Sequence, residues 1–139
     1  MGETTRRQVL RTAAWSLPVV AVAIATPGAA ASTVSSFEFE IPPEWQTVIT
    51  PRVANTGTTT LTITVSVITD LPPRFFRIAF GDWTDLGDNV YSRAFTPGEV
   101  GMGPEVTSVP PRNGTFYSII FLAQSPDLDP IARSVLVPL

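Results

Sequence analysis

From residue 32 onward the sequence predicts an all-β domain, an antiparallel β-sandwich of seven to eight strands. Three observations carry this. Leu61, Ile63, Val65 and Val67 alternate with Thr60, Thr62, Thr64 and Ser66, and alternation at period two buries one set and wets the other. Breaks containing Pro or Gly recur between runs of this kind. After residue 32 no stretch repeats its apolar residues at helical spacing.

Phe37, Phe39 and Ile41 alternate with Ser36, Glu38 and Glu40, which makes a first strand with one apolar and one acidic face. Pro42-Pro43 ends it, because proline donates no ladder hydrogen bond. Trp45 is placed to cap the core at this corner. The second strand is read over Gln46 to Ala54, with Ile49, Pro51 and Val53 on one face and Pro51 marking an edge or a bulge. Asn55-Thr56-Gly57 is read as a turn tolerant of positive φ that folds this strand back on a third, Thr59 to Thr69. Asp70-Leu71-Pro72-Pro73 breaks the third. The fourth is Arg74 to Phe80, the fifth Val90 to Phe95, and residues 81–89 between them form a polar loop. Residues 98–104 carry three glycines and a proline and are read as the loosest loop. Glu105 to Val109 is a short strand, and Asn113-Gly114 signals a hairpin into Thr115 to Ala123, an almost unbroken apolar run expected at the centre of the core. Ile131 to Val137 closes the domain.

Charge and composition exclude several functions. All nine basic residues are arginine, and the chain has no histidine and no cysteine. Residues 1–31 carry a net +2 and residues 32–139 a net −5. An acidic body offers no positive field for phosphates, which argues against nucleic acid as a partner. Without cysteine there is no disulfide framework and no thiol nucleophile. Without histidine and lysine, serine and threonine lack their ordinary activating bases. The reading is therefore non-enzymatic and without a cofactor. A domain of this size is held by its own core, burying roughly 65% of the surface its unfolded chain exposes.

The N-terminal segment has a basic head, an apolar middle over Thr12 to Ala25 and small residues at Gly28 to Ala31. Such a segment is expected to be helical if ordered. Ala29 and Ala31 satisfy the small-residue cleavage rule and place the cut before Ser32, which divides the chain into a signal at 1–31 and a domain at 32–139. The run TRRQVLR resembles the twin-arginine export signal through Thr5, Arg6, Arg7 and Leu10, with Val9 and Arg11 replacing the usual phenylalanine and lysine. The whole segment is similar to leaders of actinobacterial secreted and surface proteins. The resemblance implies contact with the export machinery, passage of an already folded protein across the cytoplasmic membrane, and a location in the cell envelope or medium. The alternative is a retained anchor. Ala13 to Ala31 is about long enough to span a bilayer, but Pro18, Pro27 and the alanine cluster make it a poor permanent span. Membrane contact is expected only through an uncleaved signal.

A second resemblance lies in VANTGTTTLTITVSV, residues 53–67, which looks like the V-x-N-T-G strand pair of immunoglobulin-like domains in bacterial cell-surface proteins. It implies a disulfide-free immunoglobulin-like sandwich with an adhesive or spacing role, a surface protein or glycan as partner, and no fixed binding residue.

Three sets of residues invite a site. Asp82, Asp85 and Asp88 sit three apart in one loop and could offer oxygens to Ca²⁺, although their spacing is not that of a helix–loop–helix calcium site and loop aspartates commonly bond their own backbone. Asp127 and Asp129 are read as turn residues. Trp45, Trp83, Tyr91 and Tyr117 could form an aromatic platform, with Trp83 expected to be the exposed member because its loop is polar. Asn113-Gly114-Thr115 matches a glycosylation acceptor, but the turn reading is preferred. The C-terminal SVLVPL carries no wall-sorting motif. The expected function is an exported binding or structural module of the bacterial surface or medium. The alternatives are a secreted carboxylate- or metal-dependent enzyme and a membrane-tethered subunit of a surface assembly.

Overall fold

Alternation of branched apolar and small polar residues gives strands in nearly every place where it occurs. The computed structural model describes residues 33–138. They form eleven strands: β1 Phe37–Glu40, β2 Val48–Ile49, β3 Arg52–Asn55, β4 Leu61–Thr69, β5 Phe76–Ala79, β6 Thr84–Gly87, β7 Val90–Phe95, β8 Val100–Met102, β9 Glu105–Ser108, β10 Tyr117–Gln124 and β11 Ile131–Val137. One 3-10 turn, Pro73–Phe75, leads into β5. Every ladder is antiparallel. The order β11-β10-β4-β7-β6 makes a five-stranded sheet, and β1-β3-β8 and β2-β9-β5 make two smaller ones. The result is an antiparallel β-sandwich with more and shorter strands than the sequence led us to expect. Arg6, Arg7, Leu10, Ala29, Ala31 and Ser32, the export and cleavage residues, lie outside the described residues. Among the described residues no helix is long and apolar enough to cross a membrane.

The core lies between the five-stranded sheet and the smaller two. The inward set of β4, Leu61, Ile63, Val65 and Val67, is buried, as its periodicity requires. Phe39 of β1 meets Phe121 of β10 with ring centroids 6.2 Å apart, which ties one of the smaller sheets to the large one. Phe95, Ile119, Val106 and Val137 are fully buried in the same cluster, and Trp45 packs against its margin as expected.

Three connections differ from the sequence reading. The stretch read as one second strand is split at Thr50-Pro51. Its first half, β2, pairs with β9, and its second half, β3, pairs with β1 and β8. Pro51 therefore marks a switch between sheets rather than an edge. The faces were legible all the same, since Ile49, Pro51 and Val53 are all buried.

The turn at Asn55-Thr56-Gly57 does not join a hairpin either. β3 and β4 lie in different sheets, so the segment is a crossover. Gly57 is needed there for space and not for a positive φ, because a Cβ would sit 2.3 Å from the carbonyl oxygen of Val34. Asn113-Gly114 likewise connects β9 to β10, which belong to separate sheets.

A two-residue hairpin lies inside the polar loop. Asp88 and Asn89, with φ of 55° and 61°, turn β6 into β7, and two consecutive positive φ values are what a type I′ turn requires. Aspartate and asparagine tolerate that region better than other side chains do. The glycine-rich 98–104 segment also holds a short strand, β8, along the edge of β3.

Candidate functional site

The three loop aspartates do different work. Asp85 accepts a hydrogen bond from the Gly87 amide at 2.8 Å, closing an Asx turn at the β6 bulge. Asp88 occupies the hairpin turn. Asp82 lies 3.5 Å from the guanidinium of Arg93. Among the described residues no group of three or more acidic, histidine or cysteine side chains converges to hold a metal ion.

Arg93 is the centre of charge in this region. It donates to Glu99 Oε2 at 2.6 Å and lies over the Phe95 ring, 4.4 Å from its centroid. Glu99 also accepts from the Thr96 amide, so the pair locks the turn between β7 and β8. Both side chains are largely shielded from solvent, which limits screening of the pair.

The aromatic platform is not assembled. Trp83 is 4% exposed, against expectation. Its indole N–H donates to the Met102 carbonyl at 2.9 Å and its ring lies 5.7 Å from Phe95. A buried partner for the N–H is what allows a tryptophan from a polar loop to enter the core. Tyr91 is also buried and stacks on Phe80 at 5.1 Å. Burial raises the Tyr91 phenol above its ordinary pKa, and the nearby Asp85 carboxylate adds to the rise. Tyr117 is half-buried, and its hydroxyl accepts from Asn113 Nδ2 at 3.0 Å.

Trp45 lines a cleft of about 320 Å³, and Trp83 lies at a shallower one of about 230 Å³. Prolines bound the segments that form the Trp45 cleft. Pro42-Pro43 ends β1 and delivers the chain to Trp45, while Pro110 and Pro111 stop β9. The Trp45 Nε1–H donates to Ser108 Oγ at 3.1 Å, and the Ser108 amide donates to the Thr47 carbonyl at 2.9 Å, which fixes indole and floor together. Val109 and Pro110 give an apolar wall, and Arg112 is the charged group at the rim. A π-face, hydroxyls and a guanidinium are recognition chemistry for a sugar or a carboxylate. The lining holds no carboxylate and no group that accepts a proton near neutral pH. Sequence reasoning singled out Trp45 but not Thr47, Ser108 or Arg112. The double proline before Arg112 was the available signal, since it stops the strand and turns the arginine out to the rim.

No family model matches the chain, and no curated protein matches it. Among solved structures, the GAE domain of GGA2p from Saccharomyces cerevisiae is similar at 9% identity, over 78% of this chain and 96% of that one, with a TM-score of 0.26.

Proposed function

We propose that the chain is an exported, non-enzymatic binding module of the bacterial cell surface or medium, carried across the cytoplasmic membrane by its N-terminal segment. The observation that carries this is a boundary. The signal-like segment, with Arg6, Arg7 and Leu10 in its head, ends at the Ala29–Ala31 cleavage pattern, and the compact sandwich unit starts at Val34. Val34 is tied in at once, donating to Thr58 Oγ1 and accepting from the Thr58 amide. A cut before Ser32 thus leaves the unit whole. The Trp45 cleft supports the binding half of the reading, with an acidic sugar as the ligand class: indole against the ring, Arg112 against its carboxylate.

Expression in an actinobacterial host tests the proposal. The expected result is a species in the medium whose intact mass begins at Ser32, lost when Arg6 and Arg7 are both changed to Lys. A full-length species found only with membranes defeats free secretion and leaves the tethered alternative. Trp45 emission should respond to uronic-acid oligosaccharides and stop responding in Arg112→Ala. A medium species that binds none of them removes the cleft and keeps the export reading.

A further inference from the structure

The outer face of the five-stranded sheet carries no charge. On β4 it presents Thr62, Thr64, Ser66 and Ile68. Register sets Thr64 beside Ser92 and Gln124, Ser66 beside Val90 and Leu122, and Ile68 beside Ile120. Beyond β10, Ser134 and Leu136 continue the same surface. The strands of this sheet contain three ionisable residues besides tyrosine, Asp85, Arg93 and Arg133. Their ladder partners are Tyr91, Ile63 and Phe121, so all three fall on the inward parity. The domain as a whole is acidic, with a net −5 over residues 32–139. Ile68 is 50% exposed and Leu136 61%, so apolar surface is open to solvent there.

We infer that this face is a self-association surface, covered by a second copy of the chain. Two acidic bodies repel across most orientations, and this face lets them meet without bringing like charges together. A two-fold contact sets a patch against itself, so it must be complementary to itself. Hydroxyls satisfy that condition because each both donates and accepts, and the isoleucines and leucines satisfy it by apolar burial. The area suffices. Five strands about 4.8 Å apart, averaging roughly seven residues at about 3.3 Å, give a projected face of about 550 Å². Two copies cover about 1,100 Å², above the roughly 1,000 Å² that a specific interface needs. The inference is independent of export and of the Trp45 cleft.

Sedimentation velocity on the purified full chain, from about 1 µM to about 1 mM, tests it. The expected result is a concentration-dependent dimer that Ile120→Arg and, separately, Thr62→Arg convert to monomer, while Val100→Arg on β8 leaves it intact. Thr62 is exposed, so its variant keeps the test valid where Ile120→Arg disturbs folding. Because the chain has no cysteine, Thr64→Cys should give a disulfide-linked dimer under mild oxidation, and Val100→Cys should not. A monomer at every concentration overturns the inference. So does a dimer that survives both arginine variants, which would assign the contact to a strand edge or to the N-terminal segment. A monomer that loses glycan binding in both variants would give the face to a glycan and also overturn it.

Discussion

Asn55 shows how much one residue can fix. Its side chain donates to the carbonyls of Thr59 and Phe95, at 2.8 and 2.9 Å, and accepts from the Gly57 amide at 3.0 Å. Its own amide and carbonyl bond Glu99 and Gly98. An asparagine that is 1% exposed is costly unless satisfied, and here its polar groups are engaged at the junction of β3, β4 and β7. Asn55→Ala should lower stability by about 3 kcal/mol, because the two carbonyls and the Gly57 amide are left without this partner. Asn55→Asp should cost at least as much near neutral pH, since it turns a carboxylate toward two carbonyl oxygens. Urea unfolding with an unchanged m-value checks both. The sequence marks Asn55 as a turn former but not as a buried hub, because its partner Phe95 lies forty residues away. Tyr91 gives a second prediction at this scale. Its folded pKa is raised, by burial first and Asp85 second, so the unfolded phenol loses its proton first. Stability should hold up to about pH 10 and fall as pH climbs through the raised folded value. The chain has no lysine to titrate alongside it. Tyr91→Phe should flatten the decline, as read by thermal melts across the alkaline range.

At the scale of elements, inward and outward faces were legible and partners were not. Periodicity is local, so Leu61 to Val67 declared their buried face without reference to any other strand. Pairing is a global choice. β4 could have paired with β3, its neighbour in sequence, but takes β7 and β10 instead, in registers that bury its inward set, Leu61, Ile63, Val65 and Val67, and leave Ile68 on the outer face. The split at Pro51 follows from the same competition, because a proline without an N–H is a natural point for a chain to leave one ladder and join another. β6 and β8 were missed since glycines and aspartates are poor strand formers, and there the edges of β7 and β3 impose the conformation. Trp83 was missed for a related reason. Its burial depends on the Met102 carbonyl, supplied by β8. The Trp45 cleft was half legible, through Trp45 alone. The β4–β10 pair carries the core and sets the prediction here. Phe121→Ala removes a fully buried ring that packs on Phe39 and should cost about 3–5 kcal/mol. Calorimetry should register this as a large fall in Tm, whereas Leu136→Ala on the exposed β11 face should shift it little.

For the whole molecule, the absence of cysteine bears directly on how export would work. A sandwich stapled by disulfides must reach an oxidising compartment before it is complete. This one is held by an apolar cluster whose buried members run from Phe37 to Val137, and it has no disulfide to form. Many of its ladders join residues far apart in sequence, such as Thr69 with Ile119, and such topologies fold slowly, over milliseconds to seconds. A route that carries folded protein tolerates that delay, while a route that threads unfolded chain competes with it. The twin-arginine resemblance implies the first route. Under that route export should depend on the core as well as on the leader. Phe121→Ala, with Arg6 and Arg7 intact, should be depleted from the medium several-fold at growth temperature and degraded inside the cell. Leu136→Ala should be exported normally. Changing Arg6 and Arg7 to Lys in the otherwise intact chain should trap a folded, protease-resistant species in the cytoplasm. Quantitative immunoblots of medium and cytoplasm with a protease challenge read all three. Undiminished export of Phe121→Ala, once its instability is verified by calorimetry, would mean that the chain crosses unfolded, and the twin-arginine reading would have to be given up.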